Sequence, residues 1–112
     1  MERSKKNWGI KTVLFINDLC EVSILELEAM KRCSWHSHRA KWNQFYVIDG
    51  SIQILTEDGD CRVDKGQIFT INPTQWHEFR TPYGKAIVQE IMYVRYESGD
   101  INREIIGGDI SG

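Results

Sequence analysis

The sequence predicts an all-β fold, more specifically a jelly-roll barrel. Short apolar runs with many β-branched and aromatic residues recur along the chain, for example at 12–16, 43–48 and 51–55. Turn-forming glycines separate the runs at a spacing that suits the hairpins of such a barrel: Gly50, Gly59, Gly66 and Gly84. No segment requires a long helix, so the barrel interior is the expected ligand pocket.

The individual strands follow from the same signals. Residues 21–28 alternate apolar side chains with acidic or polar ones, which permits a helix, but the neighbouring runs favour a strand. Asp49-Gly50 predicts a tight hairpin between the runs on either side of it. Further strands are expected at 61–63, 67–71, 77–80 and 86–96, the last being the longest.

Length and composition limit the possible classes of protein. The 112 residues predict one domain spanning 1–112, with a barrel core at about 12–96 and a C-terminal tail at 97–112. The tail is glycine-rich and is expected to be mobile or to pack on a neighbour. A net charge of −2 gives no reason to expect a nucleic-acid partner.

No run of 18 apolar residues exists, so no transmembrane helix and no membrane partner are expected. The polar start, Met1 to Lys6, is not followed by the apolar core of a signal peptide. The three cysteines, Cys20, Cys33 and Cys61, are odd in number and lack paired spacing. These features predict a cytoplasmic protein with free thiols.

All three histidines fall where one metal site would need them. His36 and His38 are two residues apart, so a strand would point both at one ion. His77 follows after 38 intervening residues, and a later strand could bring it alongside. Three imidazoles suit zinc, iron(II), nickel, copper or cobalt, whereas manganese prefers oxygen ligands. We expect one divalent transition metal, with zinc, iron or nickel as the candidates.

The spacing around these histidines carries a family resemblance. His36-Ser37-His38 is followed by four residues, Asn43, six residues and Gly50; later come Gly66, six residues, Pro73, three residues and His77. This pattern resembles the two-part signature of the cupin superfamily. The resemblance implies the cupin double-stranded β-helix and a metal held by the three histidines.

Asn43 stands where the cupin signature has a glutamate ligand. An amide oxygen is a neutral and weaker ligand than a carboxylate. One alternative is a metal held by the three histidines and water, with Asn43 as a weak ligand or an outer contact. The other is a site that binds metal poorly because the glutamate is missing.

A closer resemblance is to the cupin domain of type II phosphomannose isomerases. It is carried by Asn7-Trp8-Gly9, by Ser34 through Gly50, by Pro73 and His77, and by Asp100-Ile101-Asn102-Arg103. It implies that His36 takes the place of a glutamine ligand, that Asn43 replaces the glutamate, and that Arg103 lies near the site. It also implies a pocket of sugar or sugar-phosphate size.

Other residues are candidates for substrate binding or proton transfer. Basic side chains near the first motif form either a rim for an anionic substrate or a solvated strand edge: Lys31, Arg32, Arg39, Lys41 and Arg80. Arg80 and Arg103 are the best candidates for substrate binding, and Gln44 and Tyr46 could donate hydrogen bonds. Glu90 could act as a base if it faces the interior, but its strand is apolar on both faces.

The leading functional hypothesis is a metal-binding cupin of isomerase-like chemistry that takes a small-molecule ligand, such as an anionic sugar. One alternative is a three-histidine, iron-dependent dioxygenase, for which no carboxylate ligand is needed. A second alternative is a non-catalytic cupin that binds a small ligand. Small barrels of this kind commonly pair through a sheet edge or face, so we expect a homodimer.

Overall fold

The computed structural model describes residues 2–94 and residue 110, and every regular element in this part of the chain is a strand. The strands are β1 (Glu2–Lys6), β2 (Gly9–Ile16), β3 (Cys20–Leu27), β4 (Trp42–Asp49), β5 (Ser51–Thr56), β6 (Gly59–Asp64), β7 (Ile68–Ile71), β8 (His77–Arg80) and β9 (Ala86–Tyr93). Within the described residues, no helix is long and apolar enough to span a bilayer.

The strands form two antiparallel sheets. Six strands pair in the order β1-β2-β3-β9-β4-β7, and three pair in the order β6-β5-β8. Alternate side chains of each strand point toward the opposite sheet, because successive residues of a strand face opposite sides. The all-β barrel predicted from the sequence is therefore confirmed.

The core lies between the two sheets and draws on both. Its buried side chains are Leu25, Leu27, Phe45, Val47, Ile52, Ile54, Val63, Ile71, Phe79, Ala86 and Val88. Removing one large apolar side chain from water contributes about 1.5–3 kcal/mol, so this cluster is the main favourable term in folding. The inward parity of β4 continues from Phe45 back to Asn43, which brings a polar group into the interior.

The predicted hairpin at Asp49-Gly50 is wrong. Strand β4 pairs with β7 and β9, whereas β5 pairs with β6 and β8, so the chain crosses from one sheet to the other at Gly50. Gly50 has a φ of 77°, and a Cβ there would lie 2.7 Å from the Lys85 carbonyl oxygen. The glycine is thus required by backbone approach and not by a two-residue hairpin.

Other boundaries differ from the expectation. The strands begin at Glu2, ahead of the expected core boundary, because β1 is a polar edge strand whose composition gives no apolar alternation. The strand predicted at residues 21–28 is confirmed by β3. Strand β9 ends at Tyr93 and has 8 residues, the same length as β2, β3 and β4. The predicted C-terminal tail, except residue 110, lies outside the described residues.

The connection between β3 and β4, residues 28–41, runs along the free edge of β8. Its backbone forms isolated bridges between Arg32 and Arg80 and between His36 and His77. The Cys33 N–H also donates to the Phe79 carbonyl at 3.2 Å. This connection therefore extends the three-stranded sheet and carries two of the three histidines onto it.

Candidate metal centre

Backbone pairing holds two of the histidines side by side. The His36 N–H donates to the His77 carbonyl at 3.0 Å, and the His77 N–H donates to the His36 carbonyl at 2.9 Å. Directly opposed residues of an antiparallel pair project their side chains to the same face. His38 lies two residues beyond His36 and so returns to that face, although this segment is an extended connection and not the predicted strand.

The three imidazoles converge. Ring centroids are separated by 4.4 Å between His36 and His77, by 5.0 Å between His36 and His38, and by 5.6 Å between His38 and His77. One ring nitrogen from each lies within 4.8 Å of the other two. The sequence prediction that these histidines form one cluster is confirmed.

Backbone carbonyls fix the tautomers of two rings. His36 Nδ1 lies 2.7 Å from the Ser34 carbonyl oxygen, and His77 Nδ1 lies 2.9 Å from the Gln75 carbonyl oxygen. A carbonyl can only accept, so each Nδ1 carries the hydrogen and each Nε2 keeps its lone pair. Metal-binding histidines are usually oriented by such an outer hydrogen bond.

Burial favours the neutral form of His38 and His77 by lowering the pKa of each. It lowers the pKa of His77, against the Gln75 carbonyl bond, which raises it, and His36 and His38 lower it further. The pKa of His38 is lowered mainly by burial and also by the charges of His36 and Lys41. The neutral form is the one that binds a metal.

A metal ion fits the polar atoms at this site. His38 Nε2 and His77 Nε2 are buried and have no hydrogen-bond partner among the described residues, and the same holds for Asn43 Oδ1. Buried polar atoms almost always have a partner, so the two imidazole nitrogens, which belong to one cluster, indicate a ligand at the histidines. The donor set of three imidazole nitrogens suits zinc, iron or nickel.

Asn43 also contacts the buried carboxyl group of Glu90. Asn43 Nδ2 donates to Glu90 Oε2 at 3.0 Å, which leaves Oδ1 as the free atom of the amide. The side chain of Glu90 follows the inward parity of Ala86 and Val88, so the structure decides what the sequence left open. Burial raises the pKa of Glu90; Glu21 raises it further, while Lys11 and the Asn43 bond lower it.

Other predicted site residues lie elsewhere. Gln44 and Tyr46 alternate with Asn43 and Phe45 and therefore lie on the outer face of β4. Arg80 also points outward and pairs with Glu78, Nε to Oε2, at 2.8 Å. Arg103 lies outside the described residues. A substrate-binding role for these four residues stays a prediction.

The residues around the triad have structural explanations. Burial raises the pKa of the Cys33 thiol to about 11, and its Sγ accepts the Phe79 N–H at 3.1 Å, so it is a neutral packing group. Trp35 and Trp76 are exposed and stack at 6.4 Å between ring centroids. The sequence does not predict that the Ser34 and Gln75 carbonyls orient the imidazoles, because every residue type has a backbone carbonyl.

Comparison with known proteins assigns the family. Residues 23–91, which include every candidate metal ligand, match the cupin domain family. The chain belongs to the cupin family. No curated protein matches the sequence of this cupin.

Solved structures share the cupin fold. The KdgF protein from Halomonas sp. superposes with a TM-score of 0.75 at 12% identity, covering 86% of this chain and 90% of that one. An RmlC-like cupin from Shewanella frigidimarina gives a TM-score of 0.74 at 18% identity, covering 86% of each chain. At such identities the likeness concerns the fold alone, so function must be argued from the site.

Proposed function

We propose that this cupin is a metal-dependent enzyme that moves a proton on a small polar ligand inside the barrel, with isomerase-like chemistry. The observation that carries the proposal is the convergence of three histidines in the interior that also holds the Asn43–Glu90 pair. A cluster of ligands beside a carboxyl group of raised pKa is a typical arrangement of a catalytic site.

Each residue of the site would have a separate role. His36, His38 and His77 would hold the metal, which when bound acts as a Lewis acid toward a carbonyl or hydroxyl oxygen. Glu90 would take or give a proton at Oε1 or Oε2, because a carboxyl group exchanges protons more readily when its pKa is raised toward the working pH. Asn43 would fix the orientation of that carboxyl group through its Nδ2 hydrogen bond.

The ligand class is proposed from the sequence resemblance to type II phosphomannose isomerases. A sugar or sugar phosphate carries the carbonyl and hydroxyl oxygens on which such chemistry operates. The cytoplasmic location predicted from the sequence is part of the same proposal.

A three-histidine, iron-dependent dioxygenase is the second candidate. The triad itself favours it, because the cluster contains no carboxylate among the described residues. Oxygen uptake that depends on iron(II) would select this chemistry over the isomerase. A panel of sugars and organic acids that bind but are never converted would instead indicate a non-catalytic binding protein.

The first experiment measures metal content by elemental analysis on protein purified without a histidine tag. The wild type should carry close to one metal per chain, and His77→Ala should lose most of it. Trp76→Phe is a matched control, since Trp76 adjoins His77 in sequence but is exposed. Protein that neither contains zinc, iron or nickel nor takes them up would refute the metalloenzyme proposal.

We also propose that the cupin is a homodimer. The end of β2 and the turn after it expose four large apolar side chains, with 43% of Leu14, 54% of Phe15, 65% of Ile16 and 63% of Leu19 accessible. Large apolar side chains exposed together at one end of a strand commonly mark an interface.

A further inference from the structure

A basic cleft lies on the outer face of the three-stranded sheet, away from the histidines. It has a volume of about 360 Å³ and is lined by Met30, Lys31, Arg32, Gln53, Arg80 and Pro82. Strand parity separates it from the metal centre, because His77 and Phe79 of β8 face inward while Arg80 faces outward. The cleft is thus independent of the proposed function.

Two arginines oppose each other directly in this cleft. Arg32 and Arg80 are the partners of an isolated antiparallel bridge, which places their side chains next to each other on one face. Like charges in this position repel each other. The backbone bridge extends the sheet, but the two like charges beside each other do not stabilise it, and they favour a role in binding negative charge.

The arginines are only partly neutralised. Arg80 uses Nε to bind Glu78 and remains 40% exposed, and no hydrogen bond within the described residues occupies its terminal N–H groups. Arg32 has no side-chain partner among the residues that the structure describes, and the same is true of the Lys31 ammonium group. Three cations against one carboxylate leave an excess of positive charge.

The backbone beneath the cations is held rigid. Thr81 is fully buried, and its Oγ1 accepts the Lys31 N–H at 2.9 Å and donates to the Glu28 carbonyl at 2.7 Å. Met30 has a φ of 59°, which is an uncommon conformation for a bulky residue. Such strain tends to occur where a ligand site requires it, and a fixed backbone lowers the entropy cost of binding.

We propose that this cleft is a second binding site, specific for a phosphate group or a comparable tetrahedral oxyanion. Arginine presents several N–H donors in one plane and binds such oxyanions in a bidentate manner. The anion would bridge Arg32 and Arg80 and remove their repulsion, with Lys31 as a third contact. The phosphate could belong to the free ion or to a small phosphate ester.

The test is a calorimetric titration of the full chain in the presence of a chelator, so that metal-bound phosphate does not contribute. Inorganic phosphate, pyrophosphate and ribose 5-phosphate serve as probes. Arg32→Gln should weaken binding by roughly tenfold or more, since it removes charge-assisted hydrogen bonds. Arg3→Gln, a change of the same charge at an exposed residue of β1, should leave the dissociation constant unchanged.

Each outcome has a defined meaning. Tighter binding of ribose 5-phosphate than of inorganic phosphate, lost in Arg32→Gln, assigns the site to an ester, and equal binding assigns it to the free ion. The proposal is overturned if no probe binds, or if Arg32→Gln and Arg3→Gln behave alike. Metal content should be unchanged in both variants, which keeps this test separate from that of the metal centre.

Discussion

At the scale of single residues, the Asn43 amide is a buried polar group that is bonded to a buried carboxyl group. One end of the amide donates to Glu90, and the other is a buried oxygen with no partner among the described residues. While Glu90 is ionised, a reversed amide would place its oxygen against the Glu90 oxygens, which would leave two acceptors in contact. Glu90 therefore sets the direction in which Asn43 Oδ1 points.

Asn43→Ala should destabilise the protein by about 1–3 kcal/mol, because Glu90 would lose its buried hydrogen-bond donor. Urea unfolding followed by circular dichroism measures this loss. Gln44→Ala is the matched control, since Gln44 adjoins Asn43 but faces outward, and it should change stability by no more than about 0.5 kcal/mol. Equal losses in the two variants would contradict the role given to the Asn43–Glu90 bond.

Glu90 predicts a pH dependence of stability. Its folded pKa is raised above its ordinary value of 4.5, so the folded protein holds this proton more firmly than the unfolded chain does. The associated stability is complete at acidic pH and is lost as pH rises through the raised pKa. In chelator, Glu90→Gln should therefore gain in melting temperature over the wild type between about pH 5 and 8. A constant difference across that range would show that Glu90 is not the group responsible.

At the scale of elements, the crossing at Gly50 controls how the two sheets meet. Gly50→Ala adds a Cβ that contacts the Lys85 carbonyl oxygen and imposes a positive φ on a non-glycine residue. Gly66→Ala isolates the second effect, because Gly66 has a φ of 84° but open space around its Cβ position. Gly66→Ala should cost about 1 kcal/mol and Gly50→Ala about 2–3 kcal/mol more, measured by chemical unfolding. Similar losses would mean that the approach of Lys85 is unimportant.

Sequence reasoning succeeded where local chemistry determines the outcome. The histidine spacing predicted the cluster because pairing within an extended segment preserves the parity of residues two apart. It failed at Asp49-Gly50, because a glycine with positive φ serves a hairpin and a sheet crossing equally well. It could not orient Glu90, since Ile87, Ile91 and Val88 make both faces of β9 apolar. The orientation of Glu90 depends on which strands pair with β9, and pairing between distant segments cannot be read from the local sequence.

At the scale of the whole molecule, the proposed homodimer can be tested by light scattering coupled to size exclusion. The wild type should elute with about twice the chain mass of 13.1 kDa, because the apolar patch at the end of β2 would be covered by a second copy. Phe15→Lys should shift the mass to that of one chain. Ile68→Lys, at an exposed apolar residue of edge strand β7, is the control and should leave the dimer intact. A wild-type mass of 13.1 kDa would contradict the proposal.

Because the bridge between His36 and His77 joins two proposed metal ligands, metal binding should oppose local opening of the segment that carries His36. Residues 34–41 are held to β8 through the two backbone hydrogen bonds between His36 and His77, so this segment should detach more readily than the core strands. Metal bound to histidines on both sides of the bridge would have to leave before the segment detaches. At one hundred times its dissociation constant, that linkage is worth about 2.7 kcal/mol, or roughly a hundredfold slowing of amide exchange. Hydrogen–deuterium exchange at the His36 and His77 amides should thus slow on addition of zinc, and equal exchange rates with and without zinc would contradict this linkage.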